Sequence, residues 1–582
     1  MKEAPATTGI RAYLVIAAAC LAYTLVLQLH GDNVQPLEVT ISSAPDAVLV
    51  GSTNRFRAMI SGGVAPYDCA WYCDSSLILT SFGNATAHEL SYIAPNDPKQ
   101  ATMCFAVTDS KPENPQFKQT FRDFWQVKFD FDLDANYDGL IDDNDEDLET
   151  TQGGLIAQNI DDDNQNGVPD RSESPVQNEN DLCKVAILLT PATIAGSSLT
   201  LSATAGGNKV QVWSSDTKSG TLFTFPYTWS PGTQPQYVYT EGFTPSGSKR
   251  DITLKLTLTK GNSSFNDEIK LGVVKVAFTS RSDTAYGYDD GSLAYPTPDP
   301  ASYSPQKYTW ASVENANAQT KVDANITPQA YANSVYFTVD DTAKAACSPA
   351  QATASPQSLT LTGKGSLPKT QTFVRANLGA SSGPLVTRLN LAVYKQAVYN
   401  AEFHKVRSAT LVPAGTTWPQ FKNGANVFLN GGVARLDGAS ASTLTLEYDV
   451  NANGYLDIVG IDGGPEWLAI KMAVNPTAGN EYFLHIKPSI LLAQGVVAAG
   501  VRVTGGNPNC EIIVISDNVT SKAAVSAHEV LHGLGLDDIG PLGQNTQNLM
   551  YFQDGITYHL GYFAVQRYYF SGTENQWEII SR

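Results

Sequence analysis

Near the C-terminus, "AHEVLHGLGLDDIG" (residues 527–540) places two histidines four residues apart, with a glutamate directly after the first. On a helix capped by Thr520 and running to about 534, positions i and i+4 project from one face, so His528 and His532 can share a metal ion. Glu529 then points beside that ion, where a carboxylate can take a proton from an activated water and return it to a leaving amine. Two imidazoles hold zinc poorly; a catalytic site wants a third protein ligand and an open position. Gly533 and Gly535 supply the residue type that leaves a helix through a left-handed turn, letting the chain double back under the metal. The pattern His-Glu-x-x-His-x-x-Gly-x-x-Asp puts Asp538 at its last position, six residues past His532. Asp537 is one short and is expected to make a supporting hydrogen bond.

These residues, with Met550 twelve positions after Asp538 in "NTQNLMYF", resemble the metzincin metalloproteases in their aspartate-ligand, snapalysin-like variant. The resemblance covers residues 385–582. It implies zinc held by His528, His532 and Asp538, structural roles for Gly535 and Met550, and a cleft for an extended protein or peptide substrate. It implies a zinc endopeptidase in which Glu529 is the general base toward a zinc-activated water. Several metzincins carry a tyrosine two residues past the methionine; here that position is Phe552, which leaves Tyr551 and Tyr558 as alternatives for the oxyanion. An aspartate ligand adds negative charge, which would leave the bound water slightly less acidic than three histidines would.

The elements that must position this helix are α/β in pattern. "TRLNLAVYK" reads as a strand. Trp418, Phe421, Ala425, Phe428, Gly432 and Leu436 recur at helical spacing. Strands are expected at 442–449, 466–473, 481–487 and 510–516, before the histidine helix.

Three stretches have short oxygen side chains on alternate residues around a glycine, the design of a twelve-residue calcium loop. The first has Asp134, Asn136, Asp138, Gly139, Asp142 and Asp145; the second has Asp162, Asn164, Asn166, Gly167, Asp170 and Glu173. The third has Asp449, Asn451, Asn453, Gly454 and Asp457, but its twelfth position is Gly460, so Asp462 or a neighbour must supply the missing carboxylate. The first two resemble the loops of dockerins and thrombospondin type 3 repeats. Structural calcium would stiffen an acidic connection at 129–181 that repels itself without cations.

The remaining two thirds reads as β modules. "GGVAPYDCAWYC" and "ATMCFAVTDS" alternate with period two, and the turn before the tryptophan strand resembles immunoglobulin-like modules of the polycystic-kidney-disease type. The chain is thus expected to be multidomain: an Ig-like β-sandwich at 32–128, the calcium linker, a β domain at 182–285, a proline-rich linker and β region at 286–384, then the α/β (α+β) protease domain from 385. One disulfide, Cys104 to Cys69 or Cys73, is compatible with an oxidising compartment.

With 582 residues, a net charge of −19 and a pI near 4.8, the chain is a poor partner for nucleic acid or an anionic membrane surface. Lys2 and Arg11 precede an apolar run from 12 to 29, an export signal or an uncleaved single-span anchor. Either places the chain outside the cell or on its surface. The contrasting expectation is a surface adhesion or matrix-binding protein with an inactive C-terminal domain, its β modules binding other surface or matrix components. His30, His88, His404, His485 and His559 lie outside any ligand spacing and read as packed or surface residues.

Overall fold

Apolar residues at every second position build most of the described residues into sheets. The computed structural model describes residues 34–134, 154–158, 182–216, 220–229, 236–248, 250–290, 309–459, 463–477, 479–492, 497–504, 511–519 and 521–534. These fall into two compact units. The first comprises residues up to 154 together with 183–240 and 250–271; the second comprises 155–182, 241–249 and everything from 272.

In the first unit, strands Glu38–Ser43, Thr53–Ser61 and Ala87–Ile93 form one sheet. Strands Tyr67–Cys73, Ser76–Gly83, Gln100–Asp109 and Phe117–Leu133 form part of a second sheet. Phe56, Leu90 and Tyr92 of one sheet meet Trp71, Phe105 and Phe124 of the other in a buried core, which makes this a β-sandwich. The glycine pair before Tyr67 turns the chain at positive φ; a side chain on Gly62 (φ 69) would collide with the Pro36 carbonyl. Strand Phe117–Leu133 does not stop at the expected boundary of 128. Its far half pairs with Leu182–Thr190, Val185 opposite Leu133, so residues 129–133 are sheet and not linker. The expected disulfide is absent: Cys69 and Cys73 point into the core, whereas Cys104 pairs opposite Tyr72 on the outer face, and all three are free thiols. Alternation along a strand puts them on opposite sides of the sheet.

The second unit contains a further β module and the α/β region. Strand Ser263–Ser280 pairs through its later half with Gln319–Thr327, so the expected boundary at 285 is replaced by one near Leu271. Strand Leu385–Tyr394, expected to open the protease region, pairs instead with Lys369–Leu378 and Trp310–Glu314 of this β module.

From Ala397 the pattern becomes α/β. Strand β1 (Ala397–Arg407) is followed by helix α1 (Trp418–Leu429), β2 (Ala434–Ser440), α2 (Gly464–Val474), β3 (Glu481–Ile486), β4 (Gly500–Thr504), β5 (Glu511–Ser516) and α3 (Lys522–Gly533). The sheet order is β2-β1-β3-β5-β4, with every pair parallel except β5–β4. A sheet covered on both faces needs apolar residues on both sides of each strand, and β5 supplies them. Ile513 and Ile515 join α1 and α3 through Phe421, Ala425, Val530 and Leu531. Ile512 and Val514 face the other way, toward Trp467 and Ile470 of α2. Gly424 lets α1 close on α3: a β-carbon there would lie 2.9 Å from Ala523 Cβ.

Three expected elements differ. The helix ends at Leu429, so Leu436 lies on β2; Val433 turns the chain at φ 57. Of 442–449, only Leu444–Thr445 is strand. Residues 466–473 are helix α2, not strand. Pro465 suits a first helical turn, and Glu, Leu, Ala, Lys and Met are strong helix formers. The exposed Leu468 and Met472 hid the helical period set by buried Trp467 and Ile470.

Candidate metal centre

Helix α3 is capped by Ser521, whose hydroxyl accepts from the Ala524 N–H at 3.3 Å, one residue later than the expected Thr520. Its inner face, Ala524, Ala527, Val530 and Leu531, packs on the sheet. That packing leaves His528 and His532 half-buried one turn apart. Their Nε2 atoms lie 3.0 Å apart, with the rings nearly perpendicular at 89°. A tetrahedral ion about 2.0–2.1 Å from each nitrogen would hold them roughly 3.3 Å apart, so the pair need open only slightly to admit one. Glu529 is 6% exposed and lies against the start of β4, where Gly500 leaves it room.

The start of α3 is tied to the sheet by Asp517. Its carboxylate accepts from His485 Nε2 at 2.8 Å and from the Ala414 N–H at 2.5 Å, and Lys522 Nζ lies 3.3 Å away. Burial pushes the Asp517 carboxyl up, but these donors hold it below its usual range. Burial also holds His485 below the ordinary histidine value. His485 is therefore a packed residue, as expected, with a structural partner that its spacing did not reveal. His404 is buried too, and His88 bonds Ser81 Oγ at 3.1 Å.

At the other end of α3, Arg502 of β4 donates Nη1 to the His532 carbonyl at 2.7 Å and grips Glu511 of β5 through Nε and Nη2. Gly533 does not make a left-handed exit. It is the last helical residue, and a β-carbon there would lie 2.6 Å from the Tyr399 ring. Close packing, not backbone hand, demands glycine at 533.

Among the described residues, no group of three or more His, Cys, Asp or Glu side chains is arranged to hold a metal ion. Asp538, Asp537, Gly535, Met550, Tyr551, Tyr558 and His559 lie outside the described residues. So do Asn136, Asp138, Asp142 and Asp145, and all of Asp162, Asn164, Asn166, Asp170 and Glu173. Asp134 is described: it is buried, and its N–H donates to the Lys184 carbonyl at 2.9 Å.

The third acidic loop is described through Val459. Asp449 Oδ2 accepts from Gly454 N–H at 3.0 Å, Asn451 Oδ1 from Asn453 N–H at 2.9 Å, and Asn453 Oδ1 from Tyr455 N–H at 2.8 Å. The amides of Asn451 and Asn453 both donate to Asp457. Gly454 sits at φ 81, the sharp turn its position predicts. The neighbouring carboxylate is Glu466, in the first turn of α2 and 1% exposed. It accepts from the N–H groups of Asn451 at 3.2 Å and Asp457 at 2.8 Å. A glutamate following Gly-Gly-Pro was the available signal, hidden because 466–473 reads as strand.

No protein-family model matches this chain, and no curated protein matches it. Solved structures similar to it include an I-band fragment of titin, at 8% identity over 62% of this chain and 99% of that one, with a TM-score of 0.20. An ICAM-5 ectodomain fragment is 9% identical over 62% of this chain and 76% of its own, at a TM-score of 0.19. Three N-terminal domains of the bacteriophage RB49 highly immunogenic outer capsid protein are 8% identical over 62% of this chain and all of theirs, at 0.23. TM-scores this low establish no shared arrangement, and the β-sandwich assignment rests on the strand pairing itself. No helix among the described residues is long and apolar enough to cross a membrane; residues 12–29 lie outside them.

Proposed function

We propose that this chain is an exported zinc-dependent endopeptidase, its α/β region catalytic and its β modules accessory. One observation carries the reading: on α3 the His528 and His532 nitrogens converge while Glu529, between them in sequence, is buried beside the antiparallel edge strand. Residues 397–534 run strand, helix, strands, helix, strands, helix, one helix more than the metzincin resemblance implies, with the histidines on the last.

Zinc, when bound, supplies a polarised peptide carbonyl and a more acidic water. His528, His532 and Asp538 would hold it. Glu529 would take a proton from the attacking water and deliver it to the leaving amine. Among the described residues β4 pairs only with β5, and its other edge offers backbone groups to an extended peptide. Calcium at the three acidic loops would be structural, with Glu466 bracing the third.

The test is bound-metal analysis with a casein cleavage assay on wild type and Glu529→Ala. Zinc retained and cleavage reduced roughly 10²–10⁴-fold in the variant supports the reading. A native protein without zinc ends it, and a zinc-loaded wild type that cleaves nothing favours the adhesion reading. Asp538→Ala should lose metal, whereas Asp537→Ala should keep it.

A further inference from the structure

A helix C-terminus leaves its last carbonyls without intrahelical donors and carries partial negative charge. On α3 one of those carbonyls belongs to His532, and Arg502 Nη1 donates to it at 2.7 Å. The same guanidinium holds Glu511 bidentately, with Nε 2.9 Å from Oε2. Such a fork fixes the plane of the guanidinium, so the remaining donor is aimed and not free to swing.

The strand register explains the placement. Arg502 lies opposite Ile513 and Thr504 opposite Glu511, which puts Arg502 and Glu511 on the face of the sheet where Ile513 meets α3. Against the same helix end, Gly533 is pressed so closely that a β-carbon would sit 3.2 Å from Glu511 Oε2 and 2.6 Å from the Tyr399 ring. The main chain at His532 and Gly533 is therefore gripped by a salt-bridged guanidinium and a ring at the C-terminal end of α3. Neither Arg502 nor Glu511 has a side chain that must touch metal or substrate for this to matter.

We propose that Arg502, oriented by Glu511, is a positioning residue for the metal centre: it locks the exit of α3 so that His532 is presented to the ion together with His528. This rests on the zinc reading above. Groups that orient metal ligands without binding the metal are commonly worth about 10–100-fold in metal affinity.

The test uses the full chain with Arg502→Met, which keeps the aliphatic stem and loses the donors, alongside Arg502→Lys and Glu511→Gln. Zinc affinity is read by competition with a chromophoric chelator, and ligand geometry by the visible spectrum of the cobalt-substituted protein. Metal-free melting temperature is recorded for each. Arg502→Met should weaken zinc binding about tenfold or more and alter the cobalt spectrum. Arg502→Lys should recover part of the loss, because one ammonium cannot reproduce the fork, and Glu511→Gln should shift both readouts in the same direction. If Arg502→Met does not fold, the Lys and Gln variants carry the comparison. Unchanged affinity and spectrum, with only the melting temperature lowered, would show a purely structural role and overturn the proposal. A wild type that binds no zinc removes the zinc reading and this inference together, and is recognised before any variant is measured.

Discussion

The Glu529 carboxylate occupies the space that a side chain at residue 500 would take. A β-carbon on Gly500 would lie 3.0 Å from both Cγ and Oε1 of Glu529, and 2.7 Å from Val525 Cγ1. Gly500→Ala is expected to push the carboxylate aside by a few tenths of an ångström or more while leaving the histidines in place. Misplacement of a catalytic group on the ångström scale costs about 10²-fold in rate, and the overpacking about 1–3 kcal/mol in stability. Zinc content should stay at the wild-type level while kcat falls. Equal kcat in the two proteins would mean that Glu529 does not depend on that space.

Glu481 and Glu511 stand opposite one another at the starts of β3 and β5. Burial first, and then the Glu511 charge, push the Glu481 carboxyl up to about 7, with Arg502 opposing. The unfolded chain releases that proton near 4.5, so between about 4.5 and 7 the folded state binds more protons and stability falls as pH rises. Above 7 the full cost is present. Glu481→Gln should flatten that slope and raise stability at pH 8 by about 1–2 kcal/mol, a figure reduced for the partial exposure of the group. Denaturant midpoints across pH 5 to 8 check this; parallel profiles for the two proteins would refute it.

Glu466 gives acceptors to two backbone N–H groups of the third acidic loop. Glu466→Ala strands both donors and is expected to cost about 2–4 kcal/mol, with Glu466→Gln losing less because one acceptor oxygen survives. Equilibrium unfolding of the three proteins measures the order. A Gln variant as unstable as Ala would mean that the charge, not the acceptor geometry, is what the loop requires.

Calcium removal offers a separate handle on the first two loops. In the Glu529→Ala background, which on the proposed reading cannot cleave itself, chelator should make the acidic stretches 135–153 and 159–175 the preferred sites for an added protease. Mass analysis of the fragments locates the cut. The same resistance with and without chelator would remove calcium from the account of those stretches.

Much of the α/β region was legible because its signals are local. The i, i+4 histidines and the helix that carries them follow from one period, and Glu481–Ile486 and Glu511–Ser516 fall where alternating or continuous apolar runs place them. What stayed hidden depends on partners distant in sequence. Gly500 and Arg502 look like ordinary strand residues until β4 is laid beside α3. Asp517 reveals its role only when His485 and Ala414 arrive from other elements. Glu466 was obscured by Leu468 and Met472, whose outward apolar side chains made a helix resemble a strand. The Cys104 pairing failed on pleat parity, which proximity in sequence does not report.

Trp310, Ala392 and Tyr394 of the preceding β module are buried in the same core as Tyr399, Phe421 and Val530. Ser312 Oγ also donates to the Gly431 carbonyl at 3.0 Å, just beyond α1. The α/β region is thus not a cassette with a clean leading edge. A fragment beginning at Ala397 would carry an open apolar wound where an indole and a phenol had been, and such surfaces recruit one another. An expression plasmid that encodes such a fragment should yield aggregates until the start codon moves upstream of Trp310.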